Sequence, residues 1–567
     1  MRARPWLLAI WFCFLARAFF YCAALPLWEG YDEWAHFAVV ERMALRGELL
    51  VARDAPVSRE IAASLALAPV PWECRYLPPP SATHDAFWRL DPADRARRRS
   101  LFRSLPPAAA RQDAPGNLVA YEGLQGPLYY WLMAPVLLAA RSAHLATQVL
   151  LLRCFSVAMV SLVIPLAFLI ARSAFRDDRI ALACSAIIAV MPEFLIDTAR
   201  VGNDSVAILL FTAVIWLSIE ALRDRPRFLL LGTALGLGLL AKAYFLTALP
   251  PVAALLVWKY RRPRALLVPL IAFAIAGWWY IRNLLTTGTL TGMWESARLP
   301  GATLGVQLQQ IFRIPWPVAI DSILLSHLYF GAWSSLTVRS WMYHLLYVLI
   351  ALAAFGLCLA ARPMPPAPGS HPPAPDRISA PDRSLLAAFF LFFWLGQLYH
   401  VIPMYMLWGV PTSMGCYLYA IVAAEVVLCV AGLRAVVSRP ARRFVAPSGV
   451  LLFALLDLYT VHMVAIPYYT GMIAHRPNGP VASFHPAGAA LSEILPRLAA
   501  FKAPVLAEPV LATLWIVYAA ATLGLTAISF WISRTRPLPP SRTAEALPET
   551  AASRPKAPAP PPPTTAH

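Results

Sequence analysis

Charge is scarce in this chain. Charged residues make up 14% of its 567 positions, against 59% hydrophobic residues. With a mean hydropathy of +0.59, that balance excludes an ordinary soluble domain and implies a polytopic membrane protein. Acidic residues are the scarcer sign, 30 against 48 basic, leaving a net charge of +18. A basic excess can mark a nucleic-acid binder, but here most Lys and Arg flank apolar runs or fall in the first loop and the tail. Topology and anionic headgroups account for that placement, and no nucleic acid is expected. Cysteine is also sparse. Of eight, only Cys74 lies clearly in a loop; Cys13, Cys22, Cys154, Cys184, Cys358, Cys416 and Cys429 fall in or beside apolar runs. A disulfide framework is not supported, and no Cys/His spacing reads as a zinc site. The chain has no glycine-rich phosphate loop, no nucleotide-sugar signature and no internal repeat.

What it has is long apolar runs. The first, residues 6–27, can cross a bilayer, which takes about 20 apolar residues. Arg2 and Arg4 precede it and keep the N-terminus cytoplasmic by the positive-inside rule. It is too long for a cleaved signal peptide, and no small-x-small cleavage site is obvious. Further runs lie near 127–145, 148–171, 180–197, 204–222, 228–241, 244–258, 265–281, 341–361, 384–407, 417–436, 444–466 and 509–533. Basic clusters at Arg172–Arg179, Arg223–Arg227 and Lys259–Arg264 read as cytoplasmic. Seven runs from an inside N-terminus would end outside, against Lys259–Arg264. Either one run, best assigned to 127–145, is not a full crossing, or one basic cluster misreports its side.

The expectation is therefore an all-α polytopic membrane protein of 12 or 13 transmembrane helices. A first module covers residues 1–290, with a long outer loop at 28–126. A second covers 291–533, with outer loops 282–340 and 467–508. The Pro-rich segment 362–383 and the tail 534–567 are expected to be disordered and cytoplasmic. Loop 28–126 is far beyond the usual connection length. Within it, Ala35–Leu50 is amphipathic, with Phe37, Val40, Met43 and Ala44 on one stripe, and predicts an interfacial helix on the outer leaflet. Asp91–Arg103, dense in Arg, predicts a solvated or headgroup-contacting helix.

The stretch Pro26-Leu-Trp-Glu-Gly-Tyr-Asp-Glu-Trp-Ala-His-Phe37 puts Asp32, Glu33 and His36 where the chain leaves the membrane, on the outer face. Carboxylates there can act on a reactive group at headgroup depth; the plainer reading is that they end a helix and meet water. If the stretch is helical, Asp32 and His36 share a face one turn apart. Four more stretches follow in order: Tyr121-Glu-Gly-Leu-Gln-Gly-Pro-Leu-Tyr-Tyr130, Gly202-Asn-Asp-Ser205, Leu235-Gly-Leu-Gly-Leu-Leu-Ala-Lys242 and Trp278-Trp-Tyr-Ile-Arg-Asn283. Together these resemble the bacterial membrane glycosyltransferases of the GT-C fold, the group of protein O-mannosyltransferases and aminoarabinose transferases. The resemblance covers residues 1–290 or so.

The resemblance implies sugar transfer from a polyprenyl-phosphate donor to a glycan, lipid or protein acceptor. The protein would sit in a bacterial inner membrane, with N-terminus and tail cytoplasmic and the active site on the outer, periplasmic side. Asp32 would be the general base of an inverting displacement, with Glu33 or His36 orienting it or the acceptor. Lys242 and Arg282 would hold the donor phosphate. Gln125, Tyr129, Asn203 and Asp204 would complete the substrate site. Each has a plainer reading: a helix N-cap for Asn203-Asp204, a snorkelling lysine for Lys242, an aromatic belt with a flanking cation for Arg282. No cofactor is expected, and the scheme requires no metal, though Asp32 with Asp204 could bind one. Two positions depart from the family pattern. Gly126 replaces a common proline, and Cys416 stands where relatives often carry an arginine, so donor binding there is altered or met by another residue. Arg17, Glu425 and Asp457 fall inside spans, where a charge needs a partner or a wet path. A lipid or polysaccharide transporter is the competing class, since it could use them to line a path. A non-catalytic relative of the same fold is the third possibility.

Overall fold

The computed structural model describes residues 3–77, 81–260, 263–299, 303–361, 378–485 and 488–534. It is almost wholly helical. Its one sheet among these residues is the two-residue parallel pair Pro69–Val70 and Ala82–Thr83. All thirteen apolar runs read from the sequence contain helix, and they differ in length. Nine described helices are long and apolar enough to cross a membrane, or ten if the bent pair Asp178–Val190 and Pro192–Thr198 is one span. The remaining three runs form shorter apolar helices, Leu128–Ala139, Phe228–Ala241 and Ala243–Lys259. Leu128–Ala139 has 12 residues and so extends only about 18 Å, well short of a hydrocarbon core. Phe228–Ala241, with 14 residues, is also short of it, so length alone does not single out the run near 127–145. A further short apolar helix, Trp316–Leu328, lies inside the expected outer loop 282–340.

The first and last spans pack together. Trp6 packs against Trp531 with ring centroids 4.5 Å apart and the planes tilted by 33°, and the buried Arg17 meets Asp457 at 2.7 Å. Tyr21 and Tyr518 donate to the same carboxylate, each at 2.5 Å. Arg17 and Asp457 thus satisfy each other as a structural pair, as a buried charge requires. Glu425 takes a different partner, His327, at 2.9 Å. Neither charge is left to line a transport path.

Beyond the bundle, the three long loops expected on the outer side form one cap. Trp333 N–H donates to the Glu29 carbonyl and Ser335 to Glu73, joining 282–340 to 28–126. Trp88 donates to the Tyr469 carbonyl, and Asp85 accepts from Tyr468 and the His475 N–H, adding 467–508. This cap corrects one expectation. The helix Glu33–Arg46 does not lie on a leaflet: Trp34 through Glu41 are all buried, and the helix packs on Leu128–Ala139. Its amphipathic stripe is covered by protein, because the rest of the long loop folds over it. Helix Pro92–Arg103 buries only Phe102, as its composition predicts. The Pro-rich segment is shorter than expected. Helix Ala380–Trp408 is capped by Ser379, whose side chain accepts from the Asp382 N–H, and the Asp382 carboxylate accepts from the Ser379 hydroxyl and meets Arg223 at 3.0 Å. Residues 362–377 and 535–567 lie outside the described residues.

Candidate active site

Helix Ala3–Ala24 ends at the cap, and a turn carries the chain to Asp32. Asp32 has a left-handed backbone, φ 54°, at the N-cap of Glu33–Arg46, yet its side chain makes no capping bond. An aspartate normally satisfies a first-turn N–H from that position. Here the left-handed geometry, uncommon outside Gly, Asn and Asp, turns the carboxylate away to accept from the Tyr121 hydroxyl. It faces a polar cavity of about 40 Å³ that is also lined by His36, Glu122, Gln125, Arg200, Asp204, Lys242, Cys416 and Tyr417. That volume holds a few waters, not a sugar ring, so a substrate needs some of the lining residues, which also include Tyr31, Trp333 and Met414, to move aside.

Four of the five stretches singled out in the sequence converge here. Asn203 donates to the Ala241 carbonyl at 3.3 Å and to Gln125 at 3.4 Å. Asp204 begins helix Asp204–Leu222 and lies between two cations, Lys242 and Arg200, each at 2.5 Å. Lys242 ends helix Phe228–Ala241 in an extended conformation and sits 4.7 Å from the Tyr417 ring centroid. Gly126 is required by this junction, since a Cβ there would meet the Leu240 carbonyl. The departure from proline therefore marks a close approach of two motif segments. The fifth stretch stands aside. Arg282 does not line the cavity; it lies over Trp279 and contacts Asn283, while Tyr280 ties its helix to the Leu239 carbonyl.

Two expected site residues serve the frame instead of the cavity. Glu33 is buried, and its two oxygens receive Arg153 Nε at 2.7 Å and Nη2 at 2.5 Å and the Val201 N–H at 3.0 Å. Arg153 also donates to the carbonyls of Leu25 and Pro26 at 2.8 and 2.7 Å. Glu33 and Arg153 together clamp the turn that presents Asp32. Tyr129 accepts from the Gly202 N–H and contacts Ser156, fixing the loop before Asp204.

Three contributors were not singled out from the sequence. Arg200 donates to Asp197 at 2.9 Å and to the Tyr31 carbonyl at 2.7 Å as well as to Asp204. Glu122 was inside a motif but unassigned, and Arg153 lies mid-span, outside every motif. Both Arg200 and Arg153 carry the mark of a charge in an apolar neighbourhood, which demands a buried partner.

Burial sets the protonation of the cavity. It raises the Asp32 pKa, opposed by the Tyr121 hydrogen bond and by Arg200 and Lys242. Burial, with Asp32 nearby, pushes Glu122 well above the ordinary carboxylate range. His36 is driven well below its usual value by burial and then by Arg200 and Lys242; it is a neutral ring bonded to Tyr130 at 2.8 Å. Among the described residues no group of three His, Cys, Asp or Glu side chains is placed to hold a metal; the cations facing Asp32 are protein side chains.

The helices define a class: an all-helical, multi-pass membrane protein. Residues 125–281 match the family described as dolichyl-phosphate-mannose-protein mannosyltransferase. No curated protein sequence matches the chain. Among solved structures, similarity extends to ArnT from Cupriavidus metallidurans bound to undecaprenyl phosphate, with 11% identity, a TM-score of 0.40, and coverage of 93% of this chain and 77% of that one. The oligosaccharyltransferase of Archaeoglobus fulgidus follows at 13% identity and a TM-score of 0.36, covering 92% of this chain and 56% of that one.

Proposed function

We propose that this protein is a glycosyltransferase that moves a sugar from a polyprenyl-phosphate donor to an acceptor on the outer, periplasmic face of a bacterial inner membrane. The observation that carries the proposal is a carboxylate, Asp32, facing two cations, Lys242 and Arg200, across one polar cavity at the end of a helical bundle. The matched family's description specifies a lipid-phosphate sugar donor, and the cavity chemistry suits one. An acceptor hydroxyl or amine attacks the anomeric carbon as the bond from that carbon to phosphate oxygen breaks. Asp32 takes the acceptor's proton. The phosphate diester leaves as a monoester, and Lys242 and Arg200 stabilise the charge that develops on its oxygens. A single displacement inverts the anomeric centre. Arg200 takes the role first assigned to Arg282, and it supplies the cation that Cys416 does not. The cations make a metal unnecessary to this scheme.

The direct test is incubation of purified protein with labelled polyprenyl-phosphate sugars and acceptor lipids or peptides, with analysis of products. Transfer with inverted stereochemistry is expected; no transfer from any lipid-phosphate sugar would overturn the reading. Two further results are expected. Lys242→Gln should raise the donor KM by about tenfold or more, since a charged hydrogen bond to phosphate is worth roughly 1.5–3 kcal/mol, whereas Arg282→Gln should leave it unchanged. The pH profile should also carry the cavity's signature. A base must be ionised, so kcat/KM falls as pH drops through the pKa of Asp32. Because burial raises that pKa, the acid limb should lie above the ordinary aspartate value of about 3.9. A limb at or below that value would remove Asp32 from the base role.

A further inference from the structure

The cavity that Asp32 faces has an aromatic wall that proton transfer and phosphate binding leave unused. Tyr31 and Trp333 line it as an edge-to-face pair, with ring centroids 5.6 Å apart and planes at 70°. Trp333 belongs to the short turn Ala332–Ser334, whose backbone is unusual. Gly331, Ala332 and Ser335 all have left-handed angles, φ 66°, 55° and 52°. Alanine and serine rarely adopt this region, and such residues persist only where their surroundings over-determine them.

The surroundings do so here. The Phe330 and Gly331 N–H groups donate to the buried Glu193 at 2.9 and 2.8 Å. The Trp333 N–H donates to the Glu29 carbonyl at 3.2 Å, and the Ser335 hydroxyl to Glu73 at 3.0 Å. Glu193 also accepts from the Tyr31 hydroxyl at 2.9 Å, so Tyr31 presents its ring to the cavity and not its polar end. One carboxylate thus fixes both aromatic residues. A tryptophan used only for packing would be buried; Trp333 is half-buried and borders a polar space.

Tyr31 precedes Asp32 in the chain, and the Arg200 guanidinium lies 5.8 Å from its ring centroid. The aromatic pair therefore stands beside both the base and a cation of the proposed displacement. Between base and phosphate lies the ring being transferred. A pyranose has a face of C–H bonds and a rim of hydroxyls; an aromatic side chain buries the first, and a few placed polar groups meet the second. The other aromatic lining residue, Tyr417, is already engaged by Lys242 at 4.7 Å from its ring centroid.

We propose that Trp333, with Tyr31, is the wall against which the sugar ring of the donor packs, and that Glu193 is the positioning residue that holds this wall. The proposal rests on the sugar-transfer reading and adds recognition of the ring to recognition of the phosphate. Because the Trp333 turn is tied down, Met414 is the lining residue that yields to admit the ring, its unbranched side chain being adaptable.

The test measures direct binding by full-length protein in detergent. The probes are undecaprenyl phosphate and the same lipid carrying mannose or glucose. The native protein should bind at least one glycosylated lipid more tightly than the bare one. Trp333→Ala should weaken binding of that glycosylated lipid about tenfold, the scale of one aromatic contact, and leave the bare lipid unchanged. Trp333→Phe should recover most of the loss. Glu193→Gln should act in the same direction as Trp333→Ala although both rings are present; unchanged binding would remove its positioning role. Lys242→Gln should weaken bare and glycosylated lipids alike, since it acts on the phosphate. Native binding of the glycosylated lipid by Trp333→Ala would overturn the wall and leave the sugar-transfer reading standing. So would an equal loss of both lipids, which marks a structural role, or equal native affinity for both. A native protein that binds no undecaprenyl phosphate, bare or glycosylated, would overturn the donor reading itself, and the wall with it.

Discussion

Asp32→Asn is expected to reduce turnover by about 10²–10⁴-fold, the usual range for removal of a general base, with donor binding nearly unchanged. The substitution keeps the shape of the side chain and its capacity to accept from Tyr121, and removes most of its basicity. A loss of kcat and kcat/KM in equal proportion would mark an interaction made only in the transition state. Steady-state kinetics with a direct donor-binding measurement separates the two quantities. Normal turnover of the Asp32→Asn enzyme would end the proposal that Asp32 is the base. Lys242→Gln should show the opposite pattern, with donor affinity weakened first.

Arg153→Met is expected to act on stability instead. It leaves Glu33 fully buried with its cation gone, and breaking a buried pair in this way costs about 3–5 kcal/mol. Three carbonyls of the Cys22–Pro26 turn also lose the Arg153 donor, although Leu25 keeps Lys502 and Pro26 keeps the Glu29 N–H. A lower melting temperature and reduced yield in detergent should follow, whereas Asp32→Asn should melt close to the native protein. Pairing Arg153→Met with Glu33→Gln should restore part of the loss, because the uncompensated charge is removed. If Arg153→Met melts like the native protein, the clamp does not hold the turn, and the placement of Asp32 needs another cause.

The two variants separate roles that adjacency in sequence conceals. Asp32 and Glu33 are neighbours, but the helix that starts between them sends their side chains in different directions. Asp32, left-handed at the cap, faces the cavity. Glu33, in the first turn, faces Arg153. The acidic pair is therefore one catalytic candidate and one structural anchor, and Arg153 belongs to the site only by holding that anchor.

Much was legible from the sequence because bilayer physics is local. A run of apolar residues must become a helix to satisfy its own backbone in lipid, so each of the thirteen runs contains helix. Span length is equally local, yet three of the runs form helices of 10–17 residues, and the sequence does not say which of them crosses. The convergence of Asp32, Gln125, Asp204 and Lys242 followed from motifs at the ends of successive apolar runs. Tertiary structure alone decided the rest. Whether a mid-span charge is a wire or a rivet depends on its partner: Arg17 finds Asp457 from 440 positions away, and Arg153 finds Glu33. Which cation faces Asp32 depends on the depth and direction of a side chain. The flanking-basic signal suits Arg282 as well as Arg200, yet only Arg200 turns into the cavity. The amphipathic stripe of Glu33–Arg46 is the same whether lipid or protein covers it, because apolar burial has no direction; the folding of the long first loop chose protein.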